Sequence, residues 1–138
     1  MSDLPRPPLR VLLLDDDAFM LALLAELVGE LGPHEVSTES NSLRALATLR
    51  RETPQLLICD LAMPDMDGIE FLRCAAEDHY RGAVLLLSGV DQSVLQAAAR
   101  LAQAHGLAVL GAHTKPLERA VLADLLAQAA AHWRGVAG

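Results

Sequence analysis

Five short stretches of the chain have the pattern of strands, and between them apolar residues recur at helical spacing. Four of the stretches are almost continuously apolar, which is typical of strands buried on both faces of a sheet, whereas the second is polar and suits a sheet edge. The stretches are 9–14, 35–39, 56–60, 83–87 and 107–111. Each connection has room for one helix. The pattern therefore predicts an α/β three-layer sandwich with a five-stranded parallel sheet in the order 2-1-3-4-5.

The segments between and after the strands predict five helices, each with an apolar face. Phe19 and Leu21 fall outside the expected inward face of the first helix and indicate a contact surface there. Residues 40–42 offer a cap for the second helix, and Asp91 offers one for the fourth. The predicted inward positions are Met20, Leu23, Leu24, Leu27, Val28 and Leu31 in the first helix, Leu43, Leu46 and Leu49 in the second, Val94, Leu95, Ala98, Leu101, Ala102 and His105 in the fourth, and Val121, Leu122, Leu125, Leu126 and Ala129 in the fifth.

Length and composition narrow the class of protein. The 138 residues, 52% apolar and 21% charged, predict one globular domain over 9–132, with a flexible leader at 1–8 and a tail or the start of a linker at 133–138. The net charge of -7 argues against direct nucleic-acid binding and against attraction to anionic membranes. No apolar run approaches the ~20 residues that span a bilayer, and the amino terminus lacks the apolar segment of a signal peptide, so we expect a cytoplasmic protein.

Five polar residues are predicted to meet at one edge of the sheet. Asp15 and Asp16 follow the first strand, Asp60 ends the third, Ser88 follows the fourth, and Lys115 comes shortly after the fifth. The carboxyl ends of parallel strands share one edge, and ligands bind there in the crevice at the topological switch point, here between strands one and three. We therefore expect these residues to surround a single crevice.

This grouping of acids with a lysine has a chemical consequence. Two unit charges ~4 Å apart repel by about 4 kcal/mol at an effective dielectric of 20, so carboxylates this close need a cation among them. Carboxylate ligands without His or Cys favour Mg²⁺. A metal beside Asp60, the amine of Lys115 and the hydroxyl of Ser88 would together receive a phosphoryl group, with Asp60 as the carboxylate nucleophile of an in-line transfer.

Each of these residues also has an ordinary structural explanation, and two other functions are open. Asp17, or Asp16, can cap the first helix, Ser88 can belong to a capping turn, and Lys115 can be a solvated charge. A Mg²⁺-dependent phosphatase of the haloacid dehalogenase type is one alternative, but such enzymes usually carry a second Asp two residues after the nucleophile, where this chain has Ala62. A flavodoxin-like cofactor binder is another, but it needs a Ser/Thr/Gly-rich phosphate loop where this chain has three acids.

Four motifs occur together at the predicted strand ends: VLLLDDD (11–17), LLICDLAMPDMDG (56–68), VLLLSG (84–89) and TKP (114–116). In this combination and spacing the chain resembles the receiver domain of the two-component response regulator family. The resemblance covers nearly all of residues 9–131. It implies a flavodoxin-like (βα)5 fold and a phosphoacceptor signalling domain that catalyses only its own phosphorylation and dephosphorylation, rather than an enzyme with a turned-over substrate.

The resemblance implies a role for each acid of the crevice. Asp60 would be phosphorylated by a phosphohistidine on a sensor histidine kinase or phosphotransfer protein. Asp16, Asp60 and the backbone carbonyl of Ala62 would bind Mg²⁺ directly, and Asp15 would act through water. The bound metal and the aspartyl phosphate thus involve both the first and the third strand of the predicted sheet.

The switch departs from the family pattern at one position. Ser88 and Lys115 are implied to contact the aspartyl phosphate, but the family's usual aromatic residue on strand five is replaced by Ala112, which has no rotamer to switch. His113 would point to the opposite side of the strand, so we interpret it as a packing or surface residue. Our hypothesis is that phosphorylation displaces the loop after Ser88 and the helix 91–105.

The resemblance also implies partners. An output domain or a docked effector would use the face formed by the helices 91–105 and 118–131, and a homodimer is also possible. The segment 88–117 is in addition similar to receivers joined to EAL-type cyclic-di-GMP phosphodiesterase domains, which would make this chain the regulatory part of a larger protein. A free-standing receiver remains the other interpretation.

Overall fold

The computed structural model describes residues 8–89 and 92–137, in which five strands alternate with five helices. The elements are β1 (Arg10–Leu14), α1 (Ala18–Glu30), β2 (Glu35–Glu39), α2 (Ser42–Glu52), β3 (Leu56–Asp60), α3 (Gly68–Glu77), β4 (Ala83–Ser88), α4 (Gln92–Ala104), β5 (Ala108–Thr114) and α5 (Arg119–Ala137). All neighbouring strands are parallel, and their order β2-β1-β3-β4-β5 confirms the prediction. Residues 1–7 of the predicted leader and the predicted cap Asp91 lie outside the described residues.

The sheet is buried between two helical layers, which explains why its strands are so apolar. Every residue of β3 and β4 is buried, whereas every residue of the edge strand β2 is at least partly exposed. One face packs against α2, α3 and α4 around Phe71, and the other packs against α1 and α5 around Leu122. Burial of one such large apolar side chain contributes about 1.5–3 kcal/mol. The two layers thereby hold the strand ends in fixed positions.

The inward face of α1 differs from the predicted one. Leu21 is buried beside Leu24 and Val28, whereas Leu23 is 38% exposed. The placement of Leu21 on a contact surface and of Leu23 in the core is therefore wrong. Phe19 is 73% exposed and does lie on the surface. Because α1 is apolar on nearly every side, the spacing of its residues does not select a face, and packing against the sheet decides it.

Two other helices also turn residues outward that the spacing predicts to be buried. In α2, Leu43 is exposed and Ala45 is buried instead. Around α4, Val94 is 52% exposed, Leu101 is 44% exposed, and His105 follows the helix on the surface. The predictions for Leu43, Val94, Leu101 and His105 are wrong because alanines, which carry a weaker apolar signal, take buried positions of these helices instead.

The last strand and the last helix are longer than predicted. β5 continues to Thr114, so Lys115 directly follows a strand. α5 continues to Ala137, and the predicted domain boundary at 132 therefore falls inside this helix. The inward residues predicted for α5 are all buried or half-buried. Among the helices of the described ranges, none has the length and hydropathy that crossing a membrane requires.

Candidate functional site

Two buried aspartates lie at the carboxyl edge of the sheet and share one lysine. Asp15, directly after β1, and Asp60, at the end of β3, are both almost inaccessible to solvent. The Nζ atom of Lys115 lies 2.5 Å from Oδ2 of Asp15 and 3.1 Å from Oδ2 of Asp60. The structure thus brings together three of the residues that the sequence analysis assigned to the crevice, with one ammonium between two carboxylates.

The third acid completes a cluster that could hold a metal ion. Asp16 is exposed, but Asp15, Asp16 and Asp60 each offer a carboxylate oxygen, and these oxygens all lie within 4.8 Å of one another. A donor set made only of carboxylate oxygens fits a hard cation such as Mg²⁺. The exposed side of the cluster at Asp16 leaves access for the water molecules that Mg²⁺ usually keeps. These residues therefore fit a magnesium ion.

Backbone hydrogen bonds orient the two buried carboxylates. Oδ1 of Asp15 accepts a hydrogen bond from the backbone N–H of Asp17 at 2.9 Å, and Oδ1 of Asp60 accepts one from that of Ala62 at 3.0 Å. In each case the other oxygen, Oδ2, is left for the ammonium. Asp17 instead caps α1 by accepting two backbone hydrogen bonds from the first turn. The structural explanation therefore holds for Asp17, and the cluster takes only the first two acids of the run.

Lys115 is held in the crevice by the end of β5. Its backbone N–H donates to the carbonyl oxygen of Ser88 at 2.9 Å, and the peptide bond between Lys115 and Pro116 is cis. Burial lowers the pKa of Lys115, but its hydrogen bonds to Asp15 and Asp60 outweigh this and raise the pKa above its usual value. The amine therefore stays charged at neutral pH.

Ser88 and Cys59 are buried residues of the two strands next to the crevice. Ser88 ends β4, one position beyond Leu87, which pairs with Asp60. Burial, followed by the negative charges of Asp60 and Asp15, raises the pKa of the Cys59 thiol. Cys59 is therefore a neutral, apolar filler of the sheet, and Ser88 supplies the hydroxyl at this end of β4.

A hydrogen-bonded pair beside the site was missed by the sequence analysis. Asp65, in the loop between β3 and α3, accepts hydrogen bonds from the backbone N–H of Ser42 at 2.8 Å and from its hydroxyl at 3.0 Å. Burial raises the pKa of Asp65, but these hydrogen bonds outweigh it and hold the pKa below its usual value. The two residues are 23 positions apart, and no spacing rule connects them.

Ala112 and His113 lie on opposite sides of β5. Ala112 is half-buried and packs against the core cluster beneath α4. It pairs with Leu86 of that cluster, whereas His113 pairs with Leu87, which belongs to the cluster beneath α5. The alternation along the strand is thus as predicted, and the half-buried His113 lies away from α4.

A doubly wound sheet of this order, with an acidic crevice and a bridging lysine at its carboxyl edge, is the architecture of a receiver domain. The sequence matches the model of the response regulator receiver domain family over residues 11–127. The chain belongs to that family.

Its relatives include proteins of several outputs. The chain is 28% identical to the chemotaxis protein CheY of Bacillus subtilis over 83 residues, which are 60% of this chain and 69% of CheY. It is 33% identical to the cyclic di-GMP phosphodiesterase RocR of Pseudomonas aeruginosa over 114 residues, which are 80% of this chain and 29% of RocR. It is 35% identical over 83 residues to a protein-glutamate methylesterase/protein-glutamine glutaminase of Treponema denticola, or 59% of this chain and 22% of that protein. The matches therefore span less than a third of the last two relatives.

Solved structures show the same fold. A response regulator from Colwellia psychrerythraea is 36% identical with a TM-score of 0.74, and the match covers 88% of this chain and 95% of that one. A response regulator receiver domain protein from Clostridium thermocellum is 24% identical with a TM-score of 0.79, and the match covers 92% of this chain and 98% of that one. The second likeness concerns the fold alone.

Proposed function

We propose that this receiver domain accepts a phosphoryl group on Asp60 from the phosphohistidine of a sensor histidine kinase or a phosphotransfer protein, in a Mg²⁺-dependent reaction. The aspartyl phosphate then changes the conformation of the domain and so controls an output. One observation carries the proposal. The carboxylate of Asp60 lies buried in an acidic crevice, 3.1 Å from the amine of Lys115, and a carboxylate oxygen of each neighbouring acid lies within 4.8 Å of one of its own.

The phosphoryl transfer requires a nucleophile, contacts to the phosphoryl oxygens and positive charge in the crevice. An oxygen of Asp60 attacks the phosphorus, so that a P–O bond forms while the P–N bond to the donor imidazole breaks and its nitrogen leaves with the electron pair. Lys115 and the hydroxyl of Ser88 contact the phosphoryl oxygens as the negative charge of the crevice increases. Bound Mg²⁺ supplies positive charge that offsets the carboxylates and the incoming group.

The residues proposed to hold that ion are specific. Asp16, Asp60 and the backbone carbonyl of Ala62 bind it directly, and Asp15 acts through water. Two features of the crevice support this division. The carboxylate of Asp16 is exposed at the opening of the crevice, and Asp15 is the most deeply buried of the three acids.

Incubation with a small phosphodonor and Mg²⁺ tests the proposal. Intact mass measurement should show one added phosphoryl group, which EDTA prevents. Asp60→Asn should abolish the addition, and Asp17→Asn, at an acid that caps α1, should retain it. Steady release of inorganic phosphate would instead indicate a phosphatase, and phosphorylation that survives Asp60→Asn would contradict the assignment.

Partners follow from the exposed helices. The apolar Val94 and Leu101 are exposed on α4. We assign the face formed by α4 and α5 to an output domain, a docked effector or a second copy of the domain. The likeness to RocR favours an EAL-type phosphodiesterase as the output. The domain would work in the cytoplasm, where the kinase presents its phosphohistidine. NMR shifts of the free and beryllofluoride-bound protein should differ along α4, and an unmoved α4 would refute this route.

A further inference from the structure

The loop from 61 to 67 carries one ligand of the proposed metal site and starts next to another. It begins directly after Asp60 and contains Ala62, whose carbonyl is the proposed backbone ligand. The backbone N–H of Leu61 donates to the carbonyl of Leu87 at 3.0 Å, which ties the start of the loop to β4. The two ends of the loop touch, because a Cβ on Gly68 would lie only 2.7 Å from the carbonyl oxygen of Leu61. Between these ends, Met63 and Met66 pack their side chains into the core beneath α2, α3 and α4. The exposed Asp65 lies between them and is held by hydrogen bonds instead.

Ser42 supports the turn around Asp65 from a different element. It is the first residue of α2 and is completely buried. Its backbone N–H donates to Oδ2 of Asp65 at 2.8 Å, and its hydroxyl donates to Oδ1 at 3.0 Å. A carboxylate that receives two donors from one residue is held in one orientation, and hydrogen bonds to a charged acceptor are the stronger kind. Because Ser42 is buried, water cannot easily replace Asp65 as its partner.

We infer that Ser42 and Asp65 are positioning residues for the metal site, because their paired hydrogen bonds keep the loop 61–67 in the conformation in which Asp60 and Ala62 bind Mg²⁺. The inference rests on the proposed function. Ala62 lies between the strand end at Leu61 and the turn at Asp65, and the buried Met63 holds the apolar side of the loop. Without the hydrogen bonds of Ser42, the polar side of the turn has to be ordered when the ion binds, and that ordering reduces affinity.

A matched pair of variants separates this role from general damage to α2. Ser42→Ala removes one hydroxyl and leaves the net charge unchanged, so a loss of Mg²⁺ affinity cannot be electrostatic. Thr48→Val removes another buried hydroxyl of α2, which donates to a carboxylate oxygen of Glu39 at 3.0 Å and does not touch the loop. If only the pairing with Asp65 matters, the two variants will differ in metal binding even where they lose similar stability.

Isothermal titration of the full chain with MgCl2 is the first measurement. Ser42→Ala should bind Mg²⁺ about tenfold more weakly than the wild type, at the lower end of what loss of a supporting residue usually costs, and Thr48→Val should bind as the wild type does. Hydrogen exchange in EDTA is the second measurement and needs no metal. The amides of 61–67 should exchange faster in Ser42→Ala than in Thr48→Val. Asp65→Ala should weaken binding too, and adding Ser42→Ala to it should cause no further loss.

The outcomes distinguish this inference from the proposed function. Wild-type affinity in Ser42→Ala, or an equal loss in Thr48→Val, overturns the positioning role and leaves the phosphoacceptor assignment standing. A wild-type protein that does not bind Mg²⁺ overturns both. Should Ser42→Ala fail to fold, Asp65→Asn at the exposed end of the pair gives the same comparison: weaker binding with faster exchange of 61–67 supports the role, and wild-type behaviour overturns it.

Discussion

Replacing Lys115 by alanine tests whether its ammonium allows Asp15 and Asp60 to lie together in the metal-free protein. The amine contacts a carboxylate oxygen of each, at 2.5 and 3.1 Å, and its side chain is 17% exposed. Lys115→Ala leaves two buried carboxylates facing each other, with Asp16 close by. We therefore expect the metal-free variant to be less stable than the wild type.

The distances set the size of the effect. Unit charges 2.5 and 3.1 Å apart attract by about 7 and about 5 kcal/mol at an effective dielectric of 20. The cost of desolvating the charges opposes most of this attraction, and removal of one partner of a buried pair usually costs about 3–5 kcal/mol. Water reaches this crevice beside the exposed Asp16, so we expect the lower end, about 3 kcal/mol. The variant should still fold, because domains of this kind are stable by about 5–15 kcal/mol.

Magnesium should reverse much of this loss. A divalent cation at the three acids neutralises the carboxylate charges that the missing ammonium no longer offsets. The ion should therefore bind the variant more tightly and stabilise it more than it stabilises the wild type. Urea unfolding followed by circular dichroism, in EDTA and in millimolar Mg²⁺, measures both free energies of unfolding. Lys115→Ala should also lose the response of α4 to beryllofluoride, because the phosphate no longer contacts the end of β5.

Two control variants and two possible outcomes test whether the charge of Lys115 stabilises the metal-free protein. Arg119→Ala removes the cation of a half-exposed pair with Glu30, and it should cost less than about 1 kcal/mol in either buffer. Lys115→Met keeps the apolar stem of the side chain and should behave like Lys115→Ala if charge is the cause. A loss below about 1 kcal/mol in EDTA would refute the reasoning, since that is what an exposed pair is worth. A loss that Mg²⁺ does not reduce would refute it as well.

Three further predictions concern single side chains. Asp17→Ala removes the cap of α1 and should cost about 1 kcal/mol in urea unfolding, yet leave the Mg²⁺ affinity unchanged; a weaker affinity would place Asp17 in the metal site. Burial lowers the pKa of His34, whose Nδ1 accepts a hydrogen bond from the backbone N–H of Leu9, so the unfolded chain takes up a proton at a higher pH than the folded chain. Stability should therefore decrease as the pH falls below about 6.5, and unfolding measured across pH should show a flatter dependence in His34→Gln, an unchanged one being the contrary result. Burial and the neighbouring carboxylates raise the pKa of Cys59, so a thiol reagent should modify only the half-buried Cys74 in the native protein and both cysteines in urea; two reactive thiols in the native protein would contradict this.

The strands follow from the sequence more closely than the helix faces do, and the reason is physical. Residues 56–59 are apolar because each is buried in one of the two layers, so the whole stretch stands out. In α1, by contrast, Leu21 is buried and Leu23 is not, although both are leucines two positions apart. The rotation of the helix about its axis depends on its contacts with the sheet. In α2 the same contacts bury Ala45 and leave Leu43 exposed.

The residues of the site likewise differ in how well the sequence predicts their positions. Asp15, Asp60 and Lys115 could be placed from the sequence because each adjoins the end of a strand, and parallel strands bring their carboxyl ends to one edge. The pairing of Ser42 with Asp65 could not, because it depends on the path of a loop through space. In the sequence, such a contact appears only as a serine near the start of a helix and an aspartate in a turn. Both are common at helix caps and loops, so they do not indicate a contact.

The replacement at Ala112 bears on how a change at the crevice reaches the surface. A residue without a side-chain rotamer cannot move between two positions, so β5 offers no aromatic switch beside α4. We expect the change to pass instead through the chain that leaves β4 after Ser88 and leads into α4. This helix packs against the sheet through Leu95 and three alanines, and it leaves Val94 and Leu101 outside.

An alanine-rich contact favours movement of the whole helix. Large interlocking side chains resist sliding because many close contacts are lost at once, whereas methyl groups present a smoother surface over which a helix can shift by a small distance. The outward Val94 and Leu101 would travel with α4, so a partner that packs on them would sense the displacement directly. In this domain, therefore, we expect movement of α4 as a whole, rather than the rotation of one aromatic side chain, to carry the change from the crevice to the surface.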